Sequence, residues 1–310
     1  MPEQNARGLP GPSHMKRQHL VPALLAVALA GCSSPPPDES GAKVEVTRVS
    51  DGARSAVAVR TVAGASRWGV VWEELVGAGS PIDVMFTTVD ANGAVGPIET
   101  VAAEVYSKAT VARGPGPDDF GGAWTELDAN ADQQLHFALA GGAPLQVSDL
   151  EFVTALEYDL VHHAGGWTAL VCTQHGGGTV HLRRYDFPDE GPPAPIFIEE
   201  PLVDLSPHNL YDCFNLELVS KGEDLWLAIN VDRDDTDRVA LRLWQVTDGE
   251  DPLADGIIVF DEPDASATLV ELLERGDELA VVYRRDTAAL SVLTMDRYDL
   301  QGSKRGSGAL

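Results

Sequence analysis

Five apolar segments, each behind a turn containing Gly or Asp, punctuate the chain: Trp68 to Trp72, Phe120 to Trp124, Trp167 to Cys172, Leu225 to Asn230 and Leu279 to Tyr283. Their last residues stand 52, 48, 58 and 53 positions apart. These anchors are nearly all apolar, as expected of strands covered on both faces. Between 12 and 14 residues before each anchor lies another strand-like run, at Val59, Val111, Tyr158, Leu218 and Val270. A third run begins 7 to 12 residues after each, near Val84, Leu135, Val180, Val239 and Leu290. Several of these alternate, as in Val180 to Tyr185 and Val239 to Trp244, and period-two alternation rich in Val, Leu, Tyr and Trp marks half-buried strands. A fourth, weaker run follows in four repeats: Ile98 to Val101, Leu145 to Val147, Ile196 to Ile198 and Ile257 to Phe260.

Four strands in each repeat of about 50 residues predict an all-β fold, a β-propeller of about five four-stranded blades. Ala265 to Arg275 has a partly helical pattern but falls where a strand belongs. After the fifth repeat the tail Gln301 to Leu310 carries no apolar run, whereas Lys43 to Val49 alternates without a partner. That N-terminal strand is expected to supply the last blade's missing outer strand and so close the ring, since two unpaired edges would be a liability. Alternatives are a β-sandwich or two small β domains, and the long interval from Cys172 to Asn230 leaves room for a degenerate sixth blade. Trp68 to Trp72 followed by Ile82 to Phe86 and Asp90 to Gly93 resembles the degenerate propeller-like lipoproteins of high-GC bacteria. Arg outnumbers Lys 17 to 5, which fits such a source. That resemblance implies no particular chemistry.

The first residues carry a different signal. Met15 is followed by Lys16 and Arg17, an apolar run from Leu20 to Leu29, then Ala30-Gly31-Cys32. A basic start, a short apolar stretch and small residues before a cut describe a secretory signal over residues 1–31, with Met15 as the true start. The stretch is too short for a hydrocarbon core, which needs about 20 residues. Leu29-Ala30-Gly31-Cys32 resembles the lipobox of bacterial lipoproteins. The resemblance implies cleavage before Cys32 and acylation of that cysteine, a stable membrane anchor. Ser33 after the cysteine implies, in that family, sorting to the outer membrane. Residues 32–42 are small, polar and proline-rich and are expected to form a tether, leaving 43–310 as the propeller domain.

Removing residues 1–31 takes away Arg7, Lys16, Arg17 and Glu3 from totals of 22 basic and 48 acidic side chains, leaving 19 and 47 and a net charge of −28. Such a surface, with no basic patch, excludes nucleic-acid binding. Cys172 and Cys213 remain besides Cys32, and an oxidising envelope favours a disulfide between them, though two separate buried thiols are the alternative.

No assembled catalytic constellation stands out. The Ser-x-Asp-x-Gly-x-Thr-Trp boxes of sialidase-like propellers are absent, and the Arg183-Arg184 and Arg284-Arg285 pairs read as solvated strand positions whose members face apart. There is no Gly-x-Ser-x-Gly elbow, so Gln174 to Thr179 reads as a hairpin rather than an oxyanion loop. Acidic residues are too numerous for a catalytic carboxylate pair to be chosen by spacing. His162, His163, His175 and His181 lie near Cys172 but lack zinc-site spacing. Two acidic stretches are candidate calcium loops, Asp128, Asn130 and Asp132 in one and Asp232, Asp234 and Asp237 in the other, because hard cations take oxygen ligands at or near alternate positions. No other cofactor is implied.

The expectation at this point is a non-enzymatic, exported envelope lipoprotein, held on the membrane through Cys32, whose propeller binds a protein or a glycan. The alternatives are a propeller-type glycan hydrolase or lyase and a structural part of an envelope assembly.

Overall fold

The computed structural model describes residues 55–76, 82–105, 108–150, 153–175, 179–205, 213–233, 238–246, 256–262 and 264–310. The signal, lipobox, tether and Lys43 to Val49 strand assignments lie outside these residues. Among the described residues every regular element is a strand, and the strands form five four-stranded antiparallel sheets arranged as a β-propeller.

Blade 1 contains β1 (Ala56–Ala63), β2 (Arg67–Leu75), β3 (Ile82–Asp90) and β4 (Glu99–Val105). Blade 2 contains β5 (Thr110–Arg113), β6 (Phe120–Leu127), β7 (Gln133–Leu139) and β8 (Leu145–Gln146). Blade 3 contains β9 (Val153–His163), β10 (Gly166–His175), β11 (Val180–Phe187) and β12 (Val203–Asp204). Blade 4 contains β13 (Cys213–Lys221), β14 (Asp224–Arg233), β15 (Arg238–Gln245) and β16 (Ile257–Phe260). Blade 5 contains β17 (Ala265–Arg275), β18 (Glu278–Thr287), β19 (Ser291–Asp299) and β20 (Lys304–Ala309). Strands follow chain order in every blade. The first strands β1, β5, β9, β13 and β17 meet one another in turn and are the innermost.

The anchors of the sequence repeat all fall on second strands, which are buried on both faces, so both alternation phases there are apolar. Apolar clusters fill the spaces between blades 1 and 2, 2 and 3, 3 and 4, and 4 and 5. Trp72, Trp124 and Trp167 are each 1% exposed. Close approach dictates two glycines. A Cβ on Gly69 would lie 2.7 Å from the Phe120 ring of blade 2, and one on Gly121 would lie 2.6 Å from the Trp167 ring of blade 3. Each aromatic residue therefore lies over a bare stretch of the preceding blade.

Two expected strands are corrected. The fifth blade takes its outer strand from the C-terminal tail: Lys304 to Ala309 pairs along β19, from Tyr298 to Thr294. Such a strand needs only backbone donors and acceptors, so its Lys-Arg-Gly-Ser-Gly-Ala sequence gives no apolar signal. In blade 3 the outer strand is Val203–Asp204 rather than Ile196 to Ile198. Ile196 instead bridges Ser148 of blade 2. The long Cys172 to Asn230 interval contributes a connection, and the described strands form no sixth sheet there.

Candidate functional site at the centre of the ring

Four of the five innermost strands carry a β-bulge. The unpaired extra residue is Val57 on β1, Leu156 on β9, Asn215 on β13 and Val270 on β17. Asn215 adopts φ +53°, the left-handed conformation a bulge can demand. A bulge bends its strand and re-aims the side chains that follow. Those side chains are charged: Arg60 follows on β1, Glu157 and Asp159 on β9, Glu217 on β13 and Glu271 on β17. Blade 2 has a short, unbulged β5 and contributes Lys108 and Thr110 instead.

These groups meet around the axis. The Arg60 guanidinium hydrogen-bonds and ion-pairs with Glu217, on a blade that is not its neighbour, and also feels the charges of Asp159 and Glu157. Lys108 of blade 2 pairs with Glu157 of blade 3. Asp159 accepts from the Thr110 hydroxyl of blade 2 at 2.6 Å and from the Leu218 N–H of blade 4 at 2.8 Å, so one carboxylate joins three blades. Glu73, on β2, accepts the Ala109 N–H at 2.8 Å.

Removal from water and mutual repulsion together outweigh the single guanidinium. Burial pushes the Asp159 carboxyl upward against the pull of Arg60 and its hydrogen-bond donors. Burial first, then the charge of Asp159, pushes Glu217 up to about 8. Glu271 is open to water along its side chain, yet the surrounding protein and Asp159 raise it to about 7. Arg60 stays charged throughout, held by Glu217 and Asp159 against the cost of burial. Interacting carboxyls of this kind titrate as a group and retain a shared proton near neutrality. Asp159 has a donor on each oxygen, the Thr110 hydroxyl on one and the Leu218 N–H on the other. Glu217 and Glu271 are the two pushed up toward neutral pH, to about 8 and about 7.

The residues selected from the sequence lie elsewhere. Asp128 turns its carboxylate onto its own turn, accepting from Asn130 N at 2.8 Å, Asp132 N at 3.0 Å and the Gln134 amide at 3.3 Å. Asp234 and Asp237 lie outside the described residues, and of Asp232 only the strand backbone is described. Among the described residues no group of three or more His, Cys, Asp or Glu side chains is placed to hold a metal. Cys172 and Cys213 are disulfide-bonded with Cα atoms 6.5 Å apart, linking blades 3 and 4. His162 pairs with Asp189 at 2.8 Å and His163 with Ser220 at 3.1 Å, while His175 and His181 lie ring against ring, 4.5 Å between centroids. Arg183 is not solvated as expected. It is buried, donating to the Ile198 carbonyl and to His175, and so tethers the connection that replaces the expected strand. Arg284 and Arg285 do remain at the surface.

No family model matches the chain, and no curated protein matches it. Solved structures do. An exo-1,5-α-L-arabinanase from a bovine ruminal metagenomic library is 10% identical, with TM-score 0.46, over 82% of this chain and 97% of its own. An α-L-arabinanase of Cellvibrio cellulosa, complexed with arabinohexaose, is 9% identical, with TM-score 0.45, over 81% of this chain and 95% of its own. A GH43 β-xylosidase/α-arabinofuranosidase from a compost metagenome, in calcium-free form with xylotriose, is 9% identical, with TM-score 0.45, over 84% and 98%. At such identities the likeness is one of fold. The expectation of a module with no ionisable constellation is corrected at the ring centre, which assembles the group that spacing alone could not pick out.

The group had one sequence signal. Arg60, Asp159, Glu217 and Glu271 each precede their anchor by 12 or 13 positions.

Proposed function

We propose that this chain is a glycan hydrolase, carried on a bacterial envelope by lipid at Cys32, with its reaction centre on the propeller axis. The observation that carries the reading is the Arg60–Glu217 ion pair on the inner strands, with Asp159 close enough to feel the guanidinium and Glu217 and Glu271 raised to about 8 and about 7. Glycoside hydrolysis needs two carboxyl groups in opposite protonation states at the same pH. One of the Glu217 and Glu271 pair gives its proton to the leaving glycosidic oxygen as the bond from the anomeric carbon breaks. The other, ionised, takes a proton from the water whose oxygen bonds to that carbon. Asp159 and Arg60 are positioning groups: Asp159 ties the inner strands of blades 2 and 4 together by hydrogen bonds, and the guanidinium orients Glu217.

Elimination of a uronic acid is the less suitable chemistry. It needs a cation free to neutralise the substrate carboxylate, and both Arg60 and Lys108 are paired with protein carboxylates.

The test is release of reducing ends from a panel of polysaccharides by the full-length chain, compared with Glu217→Gln and Glu271→Gln. Release that both substitutions suppress supports the reading, and release that neither affects refutes it. The anchor is tested by metabolic labelling with a radioactive fatty acid, which Cys32→Ser should abolish.

A further inference from the structure

Apolar cores close the spaces between consecutive blades, but the space between blade 5 and blade 1 stays open at its inner rim. Among the described residues β5 packs beside β1, β9 beside β5, β13 beside β9 and β17 beside β13, whereas β17 and β1 scarcely touch. Period-two alternation tells which side chains face that space. On blade 5, Leu272, Val281 and Tyr283 belong to the core shared with blade 4, so Glu271 and Leu273, opposite Val282 and Ala280, face toward blade 1. On blade 1, Val71 belongs to the core shared with blade 2, so Val59, opposite Trp72, faces toward blade 5. On the second strands Trp72, Ala280 and Val282 are buried, while on the innermost strands Val59 and Leu273 are 42% and 43% exposed. The bulge residues Val57 and Val270 are exposed as well.

The result is a groove with aliphatic walls that runs up to the reaction centre. Val59 precedes Arg60, Val270 precedes Glu271, and Leu273 shares a face with Glu271. Contiguous exposed apolar side chains mark a binding surface. Neither β1 nor β17 carries an aromatic residue, and the four wall side chains hold no polar atom. A hydroxyl-covered sugar gains little there, since its polar groups would give up water without a partner. An alkyl chain gains from the burial itself.

We infer that the groove between β17 and β1 takes an apolar aglycone, so that the substrate class is a glycan joined to an alkyl alcohol, as in a glycolipid, with the glycosidic oxygen beside Glu271. This rests on the hydrolase reading and concerns the substrate class of the same site. The bond from the anomeric carbon to the glycosidic oxygen breaks, and that oxygen takes the carboxyl proton and leaves as the alcohol. Water supplies the new oxygen to the anomeric carbon and its proton to the carboxylate.

The experiment compares the full-length chain on methyl, butyl and octyl glycosides of glucose, galactose, xylose and arabinose, below the concentration at which the octyl compounds form micelles. For any sugar turned over, kcat/KM should rise about 2- to 4-fold per added methylene until the groove is filled, and about 50-fold or more from methyl to octyl. The Val59→Ser, Leu273→Ser variant should bring that ratio below about 10-fold. Leu290→Ser, at an exposed position before β19, should leave it unchanged. A ratio near 1, the same ratio in parent and groove variant, or hydrolysis of polysaccharides alone overturns the inference and leaves the hydrolase reading intact. If neither glycosides nor polysaccharides are hydrolysed, the hydrolase reading fails, and the groove is read from calorimetric binding of the methyl and octyl compounds. Tighter binding of the octyl member that the groove variant loses sustains it. Equal binding, or a dimer in sedimentation that the groove variant separates, overturns it.

Discussion

Arg60 and Glu217 form an ion pair between inner strands of blade 1 and blade 4, which are not neighbours in chain order. The guanidinium also lowers the cost of the buried Asp159 and Glu271 carboxyls of blades 3 and 5.

Breaking that pair should cost stability. A fully buried pair loses roughly 3–5 kcal/mol when one partner is removed. The Arg60 side chain is 29% exposed, so Arg60→Met is expected to lose about 2 kcal/mol in urea unfolding. The Arg60→Met, Glu217→Leu double variant should recover part of that loss. A double variant as weak as the sum of the singles would show that the two residues do not interact.

Stability should depend on pH in two opposing ways. Glu217 is raised from 4.5 to about 8, so the folded chain holds a proton that the unfolded chain gives up. That contribution is complete below pH 4.5 and is lost as pH rises toward 8. His175 and His181 are lowered from 6.5, chiefly by burial and with Arg183 opposing their charge, so their contribution is present above pH 6.5 and is lost as pH falls. Urea midpoints from pH 5 to 9 should peak on the mildly acid side and decline toward alkali, and Glu217→Gln should flatten the alkaline decline. Parallel profiles for parent and variant would contradict the assignment.

Asn230 is the one polar anchor, and it is completely buried. Its amide accepts the Leu269 N–H of blade 5 at 2.6 Å and donates to the Ala267 carbonyl at 3.1 Å. Glu73 and Asp159 do the same service for Ala109 and Leu218, each a side chain that satisfies a backbone donor on or just before the first strand of the next blade. Asn230→Leu should cost about 2–3 kcal/mol, because it leaves a buried N–H without a partner. Thermal unfolding of the variant within 1 °C of the parent would rule that out.

The disulfide spans 41 residues and ties β10 to β13, the strand that carries Glu217. On the chain-entropy account its removal costs roughly 4 kcal/mol. The Cys172→Ala, Cys213→Ala variant should melt about 10 °C below the oxidised parent. Equal melting temperatures would show that the linkage constrains neither state.

The blades were legible because burial on both faces forces an apolar run on every second strand, and Trp72, Trp124 and Tyr283 recur where that run ends. The outer strands were harder to read. β20 is held by backbone pairing alone, and β12 is two residues long, while the more apolar Ile196 to Ile198 packs on a neighbouring blade. The ring centre was hidden for a different reason. With 48 acidic side chains in the chain, Glu157, Asp159, Glu217 and Glu271 are distinguished only by lying on innermost strands just beyond bulges, and a bulge leaves almost no trace in one sequence. Asp128 and its neighbours drew notice because acidic turns cluster locally, whereas the ring gathers its acids from blades up to 114 residues apart in sequence, Glu157 to Glu271.

The measurement that bears most directly on the account is the pH profile of glycan hydrolysis by the full-length chain, followed through reducing-end release. A bell-shaped kcat/KM with limbs set by the Glu217 and Glu271 pair is expected, falling by about 100-fold or more in each single Gln variant. Hydrolysis that is flat across pH 5 to 9, or equal in parent and both variants, would place the chemistry away from the ring centre and contradict the account.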